Sequence, residues 1–137
     1  MTPVVLDCSA VVPWFLPEAG SEMSLRLFDG VADGSVLAVA PALLQVEFAN
    51  VAWKKARQGL CSVPDAAGQF DRFLRLPIRY AGDAVLVKGS LALASECGIT
   101  VYDACYLWLA IHARALLATG DERLRRAACG VGVEIYR

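Results

Sequence analysis

Short apolar runs of strand length alternate with longer helical segments along the whole chain. Strands are expected over residues 3–7, 36–39, 77–80, 115–119 and 131–136, where β-branched and other apolar residues cluster between turn signals. Helices are expected over 10–16, 18–33, 41–58, 83–97, 103–113 and 121–129, with one more running from a Ser62 cap to about Leu74. Pro41 suits a first helical turn, and Gly59 and Gly98 suit helix ends. Strands separated by helices argue for an α/β fold whose parallel sheet is covered on both faces. A single domain over residues 1–137 is expected, a length that buries roughly two-thirds of the unfolded surface. Hydrophobic residues at 57% against 20% charged describe a packed globule, with enough apolar surplus for a partner or second copy to cover some surface.

Four acids stand where an acid is locally awkward. Asp7 follows Val4-Val5-Leu6, Glu47 interrupts Leu43-Leu44-Gln45-Val46, Asp103 follows Ile99-Thr100-Val101-Tyr102, and Asp121 follows Leu116-Leu117-Ala118-Thr119-Gly120. Ionised carboxylates are rarely buried unless paired or bound to metal, so one shared pocket for a hard cation is expected. In parallel sheets ligands gather at the carboxyl ends of strands, where Asp7 and Asp121 fall. On a helix Leu43, Glu47, Asn50, Lys54 and Arg57 share a stripe, so Glu47 and Asn50 point to one pocket with Lys54 and Arg57 farther along. A solvated polar stripe is the competing reading. Asp103 and Asp121 could equally be N-caps, and so could Ser9. Capping does not exclude metal binding, because a carboxylate has two oxygens. Ser9 and Thr119 are placed to orient the acids. Oxygen-only ligands select magnesium or manganese, which can activate water against a phosphodiester. The bare pocket should repel nucleic acid until a cation enters.

The net charge of −1 does not exclude an RNA partner. With those four of the 14 acids set aside, 13 Lys and Arg outnumber the rest. Arg123 lies two residues from Asp121 and is the better RNA contact; Arg72, Arg75 and Arg79 form a second basic group. Five cysteines without a CxxC pair, and a single histidine, assemble no zinc site or Cys/His nucleophile. Reduced thiols, no opening signal segment and no apolar run of the ~20 residues that span a bilayer lead to an expected cytoplasmic protein. Trp53 and Trp108 read as packing.

In order, Val5-Leu6-Asp7-Cys8-Ser9, Glu47-Phe48-Ala49-Asn50, Tyr102-Asp103-Ala104 and Thr119-Gly120-Asp121-Glu122-Arg123-Leu124 resemble the PIN-domain nucleases, in particular the small VapC-like toxins of type II toxin–antitoxin systems. The resemblance runs from Val5 to about Tyr136. It implies a three-layer α/β/α sandwich with a central, mostly parallel sheet and Mg2+- or Mn2+-dependent cleavage of RNA. It assigns Asp7, Glu47, Asp103 and Asp121 to the acidic metal-binding cluster, with Asn50, Ser9 and Thr119 as supporting positions. It further implies a cognate antitoxin, for which Trp14, Phe15 and Leu16 are groove candidates, and a homodimer. Gly120 stands where alanine is also frequent in the family.

Other functions fit less well. A haloacid-dehalogenase-type phosphotransferase would want an acid where Ser9 stands, and a response-regulator receiver would need a Lys on the last strand. A non-toxin PIN-fold nuclease in RNA processing and a catalytically silent PIN-like binding module remain alternatives.

Overall fold

A computed structural model describes residues 1–137. Four parallel strands form one sheet in the order β3-β2-β1-β4: β1 (Pro3–Leu6), β2 (Leu37–Pro41), β3 (Ile78–Ala81) and β4 (Leu116–Ala118). Val4, Val5 and Leu6 are all buried, as expected for a central strand covered on both faces. The register pairs Val5 with Val39 on one side and with Leu117 on the other. Successive strands therefore step outward from β1 to β3 and then return across β1 to β4. That reversal makes the carboxyl ends of β1 and β4 the topological switch point.

Helices α1 (Cys8–Val11), α2 (Glu22–Asp33), α3 (Leu43–Arg57), α4 (Val63–Leu74), α5 (Ala84–Cys97), α6 (Val101–Ala113) and α7 (Glu122–Gly130) complete the sandwich. The sheet and its flanking helices have the three-layer α/β/α arrangement expected from the sequence. Leu44, Phe48 and Ala52 form the buried stripe of α3, and Phe48 stacks on Phe73 of α4 with ring centroids 4.4 Å apart. Helix α6 buries Ala104, Cys105, Tyr106, Leu107, Leu109 and Ala110, so it packs as an interior element. It lies along α5 where Gly89 admits Trp108; a Cβ at Gly89 would fall inside the indole. Ser62 and Asp83 cap α4 and α5, and Gly98 closes α5 in the left-handed conformation at φ 68°.

Several boundaries differ from the sequence reading. Pro41 ends β2 instead of opening α3. It lies beyond the last β1 partner, Val39, so its missing N–H breaks no ladder bond there. The expected helix over 10–16 is instead α1 followed by a 3-10 turn, Val12–Trp14, because Pro13 cannot donate within a continuous helix. Helix α2 begins after a Ser21 cap. Helix α6 is capped by Thr100, whose hydroxyl accepts from Asp103 N–H at 3.1 Å, so Asp103 is not an N-cap. The last strand contracts to one parallel bridge between Leu117 and Ile135, held by Leu117 N–H to Glu134 O and Tyr136 N–H to Leu117 O, each 2.9 Å.

Of the residues expected to form a groove, Leu16 is buried and Trp14 and Phe15 are partly buried, with Phe15 and Leu16 lining a cleft beside Cys61 and Gln69. Trp14 donates its indole N–H towards Ser24 O and Oγ, both at 2.9 Å, and Phe15 packs edge-on against Phe28, Phe48 and Phe73. Trp53 is 52% exposed with the Arg57 guanidinium over its ring, so it is not core packing. All five cysteines are free, and no single helix is long and apolar enough to cross a membrane.

Candidate active site

The first residue after β1 is Asp7, and its backbone N–H still bonds Ala118 O of β4 at 3.0 Å. Its side chain caps α1 by accepting Cys8 N–H on Oδ1 at 2.8 Å. Ser9 Oγ–H and Thr119 Oγ1–H both donate to Oδ2, each at 2.7 Å. Each hydroxyl also accepts a backbone N–H, Gly120 on Ser9 at 2.8 Å and Asp121 on Thr119 at 3.0 Å. A hydroxyl has one proton, and both protons are spent on Asp7. The 3.3 Å approach of Ser9 Oγ to Thr119 Oγ1 is therefore a contact without a donated proton. The two loops after β1 and β4 are thus tied through one carboxylate.

Asp121 caps α7 through Oδ1 alone, accepting Arg123 N–H at 2.9 Å and Leu124 N–H at 3.2 Å. Oδ2 is left for other chemistry. Arg125 reaches back to donate to Thr119 O at 3.0 Å, which braces the same loop. Glu47 projects from the second turn of α3 and accepts the Tyr106 phenolic O–H on Oε1 at 2.7 Å. Tyr106 was not singled out from the sequence. The signal available was a phenol inside the apolar stripe of a buried helix, since a buried Tyr hydroxyl needs a partner. Asp103, in the first turn of α6, lines one cavity with Glu47 and Asn50.

Electrostatics link the four acids. Burial pushes the Asp7 carboxyl above its ordinary range, three hydrogen bonds pull it back, and Asp121 adds to the rise. Glu47 is raised by burial, then by Asp7 and Asp103, against the Tyr106 bond. Asp103 is raised by burial, then by Asp7 and Asp121, with Arg123 opposing. Cys8 beside them is pushed up to about 12 by burial first and the acids next, so it stays a thiol and is no nucleophile.

No three His, Cys, Asp or Glu side chains stand close enough to form a finished metal cage. The four acids expected to share one pocket are therefore not closed into a cage, and of them only Glu47 and Asp103 line one cavity. A hard cation such as magnesium binds few carboxylates directly and keeps several waters. The donors here are all oxygen, and a divalent charge would offset the burial that chiefly raises Asp7, Glu47 and Asp103 as well as the smaller repulsion among the acids.

The expected RNA-contact residues lie farther out. Lys54 and Arg57 are exposed on α3, about 10 and 15 Å along the axis from Glu47. Arg123 is exposed at the start of α7 and its charge reaches Asp103. Arg126 pairs with Glu122 at 3.6 Å.

The family model for the PIN domain matches residues 4–129. Ribonuclease VapC3 of Pyrobaculum aerophilum is 32% identical over 123 residues, 88% of this chain and 91% of that protein. Three solved structures are similar in fold. A Pyrobaculum aerophilum protein has a TM-score of 0.72 at 24% identity, covering 92% of this chain and 79% of its own. A toxin-antitoxin complex from Klebsiella pneumoniae has 0.65 at 16%, covering 98% of each chain. FitAcB from Neisseria gonorrhoeae has 0.64 at 16%, covering 98% and 96%.

Proposed function

This chain belongs to the PIN-domain family and is a homologue of a VapC ribonuclease, and from that premise we propose a divalent-metal-dependent ribonuclease acting as the toxin of a toxin–antitoxin pair. Asp7, Glu47, Asp103 and Asp121 are its metal-holding and catalytic residues. The observation that carries this reading is the tie from Ser9 and Thr119 to Asp7, which draws two distant loops onto one buried carboxylate at the switch point.

A magnesium or manganese ion bound there would supply the positive charge that admits a phosphodiester and makes water acidic enough to attack phosphorus. The chain's own residues do the rest. Ser9 and Thr119 keep Asp7 oriented and acceptor-only, because both hydroxyl protons point at it. Tyr106 holds Glu47 through Oε1, leaving Oε2 for the cation. Asp121 anchors α7 with one oxygen and offers the other to the site. Asn50 stands beside Glu47 on the cavity wall. Arg123, with Lys54 and Arg57 beyond, draws the RNA backbone.

An antitoxin partner is consistent with the similarity in fold to a toxin-antitoxin complex. A homodimer would cover some of the apolar side chains that α5 leaves exposed, Val85 on one flank and Val87 and Leu91 on the other. Purified protein incubated with total bacterial RNA and Mg2+ or Mn2+ should cut it. Excess EDTA, or Asp7→Asn with the fold retained, should abolish cutting, and expression alone should arrest growth. Undiminished cleavage in EDTA would contradict the metal requirement, and unimpaired growth with active protein would contradict the toxin role.

A further inference from the structure

One wall of the carboxylate cavity is aromatic and exposed. Tyr102 immediately precedes Asp103 at the start of α6 and is 64% exposed. Opposite it on α3 stand Val46, 67% exposed, and the exposed amide of Asn50. Together with Glu47 and Asp103 these residues line a cavity of about 470 Å³. That volume lies within the roughly 300–1,000 Å³ of small-molecule sites.

We propose that this cavity is a nucleobase subsite, in which Tyr102 stacks on an unpaired base next to the scissile phosphate and Asn50 bonds the base edge. The inference rests on the ribonuclease reading. With the cation and phosphate at Glu47 and Asp103, the aromatic and amide wall beside them is left for a neutral base. Every base has a π-face for the exposed phenol, and an amide carries both a donor and an acceptor for its edge. Only unpaired RNA can splay a base into such a cavity. An apolar side chain of a protein partner would use Tyr102 and Val46 but has no need of the Asn50 amide. RNA is therefore the better occupant.

The test compares wild type, Tyr102→Phe and Tyr102→Ala as full chains, with a short random-sequence RNA in Mn2+. Tyr102→Ala should raise KM by about 5- to 150-fold, the loss expected for one stacked base, with kcat little changed. Tyr102→Phe should behave as wild type. RNA carrying 5-iodouridine should crosslink at Tyr102 under ultraviolet light. An unchanged KM in Tyr102→Ala overturns the subsite. So does a rise accompanied by a lost oligomer on gel filtration, or a Phe variant as poor as Ala. A wild type that binds and cuts no RNA removes the ribonuclease reading itself, before any variant is compared.

Discussion

Tyr106 donates its phenolic proton to Glu47 Oε1 across 2.7 Å, joining α6 to α3 over 59 residues of sequence. Burial first, and Glu47 next, hold that phenol far above its ordinary range, so it remains a donor at any physiological pH. Tyr106→Phe keeps the ring in the core and frees Glu47 to rotate. Metal affinity should fall by about 10-fold or more, as for other residues that orient a ligand. Folding stability should drop by only about 1 kcal/mol, because half-buried Glu47 can take water instead. Calorimetric titration with Mn2+ and a urea melt read the two effects separately.

Removing the hydroxyls on Asp7 should act in the same direction. Ser9→Ala and Thr119→Val each delete a donor that lowers the Asp7 pKa, so Asp7 should rise further. RNA cleavage should fall by about 10- to 100-fold for either variant. The acid limb of the pH–rate profile should also move to higher pH. An unmoved limb with reduced rate would indicate packing damage alone.

The raised carboxyls of Asp7, Glu47 and Asp103 set the pH dependence of stability. A carboxyl whose folded pKa exceeds its unfolded value binds more protons when folded. Stability therefore rises as pH falls from above the raised values toward the ordinary carboxylate range. In EDTA the melting temperature should increase on acidification through that window. Asp103→Asn should increase it at neutral pH while abolishing cleavage. Saturating Mg2+ should remove both gains, which differential scanning calorimetry would record.

Gly120→Ala should be silent. Its added Cβ would meet Ser9 Oγ at 3.6 Å and Ser9 Cβ at 3.8 Å, ordinary contacts, and its backbone does not need a glycine. Folding and cleavage should match wild type. Phe48→Ala should instead cost about 3–5 kcal/mol in a denaturant melt, because it empties the stack between Phe15, Phe70 and Phe73.

The features readable from sequence were those fixed by local chemistry. Apolar runs marked β1 and β4, so Asp7 and Asp121 could be placed at strand ends, and Ser62, Asp83 and Gly98 marked helix ends. The Thr100 cap is equally local, a hydroxyl three residues before Asp103, and it takes the capping position that the sequence offered to the acid. Trp53 adjoins buried Ala52, and a turn of about 100° per residue is enough to carry it into solvent. The Tyr106 bond and the direction of the Ser9 and Thr119 protons depend on contacts between distant segments, which no local pattern encodes.

Convergence of the four acids on one cation is tested most directly by titrating metal-free protein with Mn2+ in a calorimeter at neutral pH. The expected result is saturable binding by wild type, weakened at least about 10-fold in each of Asp7→Asn, Glu47→Gln, Asp103→Asn and Asp121→Asn. No binding by folded wild type, or affinity unchanged in all four variants, would contradict it.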